Sequence, residues 1–78
     1  MKRVWKGIDV IATGQRIRFL QQKKGLANHV LAEMLGVSVQ ALYKWKRGET
    51  LPDLVHALQL ARILGVSVEE IFLQAEEQ

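Results

Sequence analysis

Apolar residues recur along this chain at spacings of three and four, the period of a helix with one buried face. Gly25, Gly36, Gly48 and Gly65 punctuate the pattern where short helices end in a left-handed residue. Strand signals are scarce after residue 12, so the pattern predicts five helices and no sheet. The first starts behind an N-cap at Asp9 or Thr13 and runs to Lys24, with Ile17 and Leu20 inward and Lys23 and Lys24 complementing the C-terminal dipole. The second covers Asn28 to Leu35, its core face being Leu31, Leu35 and Met34. The third is capped by Ser38 and turns Leu42 and Trp45 to one side. The fourth follows Pro52, is capped by Asp53 and offers Leu54, Ala57, Leu58, Ala61 and Leu64 to the core. The fifth opens on Ser67-Val68-Glu69-Glu70, a capping box, with Ile71 as its core residue.

Only Gly36, Val37 and Ser38 separate the second and third helices. So short a connection makes the third helix project rather than fold back, which is a helix-turn-helix. Ala32 is small where the two helices would cross, and Gly36 permits the positive φ of the sharp turn.

Composition narrows the class. With 78 residues there is room for one small domain. There is no cysteine, which removes disulfides, zinc fingers and thiol nucleophiles. Apolar residues at 49% and charged residues at 24% describe a globular chain. No apolar run approaches the ~20 residues of a membrane span, and Lys2 and Arg3 lack the apolar stretch of a secretory signal. A soluble cytoplasmic protein is expected, nucleoid-associated in a bacterium or phage. The net charge of +3 conceals an asymmetry. Residues 1–47 hold ten basic and two acidic side chains, a balance of +8, whereas residues 48–78 hold one and six, a balance of −5. A basic half is what a polyanion-binding face requires, although it also describes an unevenly charged solvated surface.

Several stretches together carry a resemblance: Gly14-Gln15-Arg16-Ile17-Arg18, Leu31 to Ser38, Trp45-Lys46-Arg47-Gly48, Pro52 and Leu64 to Ile71. Over about residues 14–73 the chain resembles the Cro/C1 (Xre-type) helix-turn-helix family of phage repressors and bacterial regulators. The resemblance implies an all-α, compact five-helix, lambda-repressor-like DNA-binding domain over residues 9–78, preceded by an N-terminal arm, residues 1–8. It also implies a transcriptional regulator, more often a repressor, acting as a homodimer on a pseudo-palindromic operator in double-stranded DNA. No cofactor, small-molecule ligand or enzymatic activity is expected.

Family base-reading positions fall on Val39, Gln40 and Lys44, with Tyr43 beside them, on a recognition helix 38–47 lying in the major groove. Gln40 can pair with adenine N6 and N7, Lys44 can donate to guanine O6 or N7, and Val39 can touch a thymine methyl. Asn28, Ser38 and Arg47 fall on phosphate-contacting positions. Val39 and Tyr43 keep a second reading, as an exposed apolar residue and as a packing residue against a neighbouring helix.

Two positions depart from the family pattern. An arginine in the first helix and a glutamate before Arg-Gly commonly form an ion pair, and here those positions are Gln21 and Lys46. Losing both partners strands no buried charge, and Lys46 is expected to snorkel outward toward a phosphate. Ala27 stands where a hydroxyl N-cap is usual, leaving Asn28 to cap one residue late. These departures leave room for a competing class, an antitoxin-like or adaptor module with little DNA binding. Residues 1–8 form an arm reaching DNA, a segment tucked by Trp5 onto the bundle, or a frayed end. His29 and His56 are isolated surface residues. Phe72 and Leu73 supply a symmetric dimer contact, or Phe72 closes the monomer core.

Overall fold

Asp9 sets the start of the first helix, its carboxylate accepting from the N–H of Ala12 at 3.0 Å. The computed structural model describes residues 3–76; Met1, Lys2, Glu77 and Gln78 lie outside the described residues. Helix α1 covers Val10–Lys24, α2 Asn28–Leu35, α3 Val39–Lys46 and α4 Leu54–Leu64. Ahead of them, β1 (Val4–Trp5) pairs antiparallel with β2 (Ile8–Asp9). The expected all-α, five-helix fold is therefore corrected, among the described residues, to four α-helices, one 3-10 turn at Val68–Glu70 and a two-stranded sheet.

Long-range pairing explains both differences. Ser67 caps its turn as expected, its hydroxyl accepting from Glu70 N–H at 3.3 Å. After Ile71 the backbone finds partners outside any helix. Asp9 N–H donates to Leu73 C=O at 2.9 Å, Ala75 N–H donates to Gly7 C=O at 2.8 Å, and Ile8 bridges Gln74. The C-terminal segment thus lies along β2. Its anchor is Thr13, the other N-cap candidate, which is fully buried and accepts from Leu73 N–H at 3.1 Å. The hairpin itself turns on Lys6 and Gly7, with φ of 50° and 83°, a pair of left-handed residues suited to a two-residue β-turn. Trp5 remains 57% exposed, while Arg3 Nη1 donates to Gly48 C=O at 3.2 Å and ties the hairpin to the end of α3.

Ile17, Leu31, Leu42, Leu60 and Ile71 form the solvent-free centre of the core. Phe72 packs against this cluster, closing the monomer. On α4 the buried face is Ala57, Leu60, Ala61 and Leu64; Leu54 is 72% exposed and Leu58 is also exposed. Apolar residues occupy both sides of this helix, so periodicity alone could not choose the inward one. Met34, expected to help the core, is exposed as well.

Gly36 (φ 72°) turns the chain between α2 and α3 as the sequence predicts. Helices α1 and α3 also approach closely. A Cβ on Gly14 would sit 2.5 Å from the carbonyl oxygen of Trp45 and 2.6 Å from that of Lys46. No described helix is long and apolar enough to cross a membrane.

Candidate nucleic-acid interface

Helix α3 is held at both ends and along one side. Ser38 caps it, its Oγ accepting from Ala41 N–H at 3.0 Å. Leu42 and Trp45 anchor its inner face, with the Trp45 ring tilted against His56 at 6.1 Å. The outer face then carries Gln40, Tyr43, Lys44 and Arg47, spaced to form one exposed stripe. Neither Gln40 nor Lys44 is covered by other protein atoms. Val39 is half-buried and packs against the core, so only part of it is available to a ligand.

The remaining candidates have internal partners. Arg47 forms an exposed ion pair with Glu49; their hydrogen bond holds the carboxyl of Glu49 below its usual range and raises the guanidinium of Arg47. Asn28 does not cap α2. The N-cap is Ala27, which offers no side-chain acceptor. Instead Asn28 Nδ2 donates to Tyr43 Oη at 3.2 Å, and its Oδ1 accepts from Gln21 Nε2 at 2.8 Å and from Lys46 Nζ. This leaves Asn28 one Nδ2 hydrogen and its backbone N–H for another group. Tyr43 is accordingly tied to α2 while its ring stays on the surface.

Lys46 does not snorkel outward. It is 6% exposed, and its ammonium donates to Gln21 Oε1 at 2.9 Å and to Asn28 Oδ1. Gln21 is 5% exposed and completes the network by donating to Leu26 C=O at 2.9 Å. Burial first, and the nearby charge of Arg18 second, pull the Lys46 ammonium below its ordinary value of 10.5. Arg18, Gln21, Gln22, Ala27, Asn28 and Lys46 line a pocket between α1 and α2. The sequence reading did not place Arg18 at this site. The signal available was its position one helical turn before Gln21, on the flank of α1 next to the α2 start.

On this geometry, comparison with known proteins gives a consistent answer. A helix-turn-helix family model (HTH_3) matches residues 17–71. The P22 c2 repressor, solved in complex with a synthetic operator, superposes with a TM-score of 0.74 at 33% identity, covering 77% of this chain and 91% of that one. The restriction-modification controller protein C.AhdI from Aeromonas hydrophila superposes with a TM-score of 0.73, also at 33% identity, covering 81% and 96%. The HTH-type transcriptional regulatory protein TK0539 of Thermococcus kodakarensis is 36% identical over 64 residues, 82% of this chain but 20% of its own length. Matched over more than half its length and framed around a Gly36 turn and an outward-facing α3, the chain belongs to the helix-turn-helix family of Cro/C1 type.

Proposed function

We propose that this protein binds double-stranded DNA in a sequence-specific manner and acts as a transcriptional repressor, with α3 in the major groove. The carrying observation is the exposed stripe of Gln40, Lys44 and Arg47 on a helix whose other side is locked by Leu42 and Trp45. Gln40 reads adenine, Lys44 reads guanine, and the outer part of Val39 meets a thymine methyl, with Tyr43 beside them. Ser38, Arg47 and the free hydrogens of Asn28 contact phosphates and set the register. On DNA, Arg47 exchanges Glu49 for a phosphate. Residues 3–8 act as a brace for the end of α3 rather than as an arm into the groove.

A symmetric dimer on a pseudo-palindromic operator suits the exposed Leu54, Val55 and Leu58 of α4 better than Phe72, which the core occupies. The same patch favours the second reading, an adaptor that binds a protein instead of DNA.

Selection of bound sequences from a random duplex library tests the proposal. Against the selected site, Gln40→Ala and Lys44→Ala each lose about 1–3 kcal/mol of binding and relax preference at one base pair. Arg47→Ala weakens all sequences alike and makes the salt dependence shallower. Salt-insensitive binding to duplex by the parent supports the adaptor reading instead.

A further inference from the structure

The outer side of α1 carries a surface that the helix-turn-helix does not use. Ala12, Arg16, Phe19 and Lys23 follow helical spacing along it. Gly14 and Gln21, which meet Trp45 and Lys46 of α3, lie on the opposite side of the same helix. A duplex held by α3 would lie on the far side of α1, so occupancy of the outer face neither requires DNA nor competes with it.

Phe19 is 54% exposed there, on the side where a surface helix ordinarily carries polar residues. It is not an isolated apolar side chain. The extended C-terminal segment, held by Leu73 N–H on Thr13 Oγ1, brings Leu73 alongside α1. Ala12, Phe19 and Leu73 give a shallow groove of about 340 Å³ its apolar surface, and Gln15 and Arg16 complete the lining. Lys23 Nζ stands 6.0 Å from the centre of the Phe19 ring. The ion pairs among the described residues, Arg47 with Glu49 and Asp53 with His56, include neither Arg16 nor Lys23. Lys23 complements the dipole at the end of α1, but Arg16 sits in mid-helix and has no such role.

Two cations without a carboxylate thus flank an apolar groove. The stretch from Ala12 to Lys23 is about 17 Å long, room for three turns of a second helix. Such a helix needs one apolar stripe for the groove and acidic side chains beside it.

We propose that this face docks an acidic amphipathic helix of a partner protein, with its apolar stripe on Phe19, Leu73 and Ala12 and its carboxylates on Arg16 and Lys23. The exposed Leu54, Val55 and Leu58 of α4 are a separate surface and take no part.

The probe is a synthetic helix, blocked at both ends, with leucine at i, i+3, i+4 and i+7 and glutamate beside that stripe. One control replaces each glutamate by lysine, and a second scrambles the order of the same residues. Each is titrated into the full chain while the Phe19 ring and Leu73 methyl resonances are followed by NMR. The acidic helix gives saturable shifts that weaken with added salt, and neither control does. Phe19→Ala lowers the affinity about tenfold. Arg16→Glu combined with Lys23→Glu transfers the preference to the lysine helix, a gain of binding that an unfolded variant cannot imitate. Absence of saturable shifts at Phe19 and Leu73 overturns the proposal, as do shifts centred on Gln40 and Lys44 instead. Equal binding of the scrambled peptide reduces the attraction to net charge and overturns it too. Shifts produced by concentrating the chain alone make a second copy the occupant. A stronger response to phosphatidylglycerol vesicles than to the acidic helix makes this a membrane face, and either result overturns the proposal.

Discussion

Lys46 Nζ donates to Gln21 Oε1 at 2.9 Å, joining α3 to α1 through a charge-to-amide contact where the resembling family commonly has an ion pair. Both residues are buried, so their chemistry is coupled. Gln21→Arg alone places a guanidinium against the ammonium and should cost about 3 kcal/mol. Lys46→Glu alone frees the two amide oxygens but gains Arg18 as a partner, and should cost less. The double variant rebuilds an ion pair and should recover most of the loss. Urea unfolding of the four proteins measures the coupling; a value under about 0.5 kcal/mol would show that the two sites act independently.

The same burial predicts a pH dependence. A lysine whose folded-state value lies below 10.5 binds fewer protons folded than unfolded in the interval between the two values. Its unfavourable contribution is fully present below the folded value and is relieved as pH rises toward 10.5. Compared with Lys46→Met, which shares every other titrating group, the parent should gain relative stability across that alkaline interval. Paired urea melts at neutral and alkaline pH check this, and a constant difference contradicts it.

Gly14→Ala brings a methyl group to 2.5 Å from Trp45 C=O and 2.6 Å from Lys46 C=O, where only backbone can yield. We expect about 3 kcal/mol of destabilisation despite alanine's better helix propensity. Because the displaced carbonyls belong to the end of α3, affinity for a selected operator should also fall. Thermal melts and operator titrations read the two effects separately.

Thr13→Val keeps the shape of a fully buried side chain and removes the acceptor of Leu73 N–H. Leaving that donor unpaired should cost about 1–2 kcal/mol. The loss should be local to the C-terminal segment. Amide exchange at Ala75 and Asp9, whose partners are Gly7 and Leu73, should accelerate while that of Leu42 in the core does not.

The helix-turn-helix was legible in the sequence because its determinants are local. Gly36 supplies the left-handed turn, Ser38 and Asp53 accept from N–H groups three residues on, and Leu31, Leu35, Leu42 and Trp45 follow helical period. The exposed stripe of Gln40, Lys44 and Arg47 follows from the same period once Leu42 and Trp45 are inward. Val-Trp-Lys-Gly-Ile-Asp carried a two-residue turn signal, but a strand of two residues has no periodicity to read.

What the amino-acid order settled alone were the features written within one turn of helix: caps, turns and the spacing of apolar side chains. Tertiary structure decided whatever depends on residues far apart in the chain. Leu60 rather than Leu58 is buried because of what α4 meets, and residues beyond Ile71 extend because β2 offers hydrogen bonds that another helical turn could not match. Lys46 turns inward because Gln21 and Asn28, 25 and 18 positions away, together present the oxygens that hold its charge. Such contacts have no local sequence signature, since their energy exists only after the helices have packed.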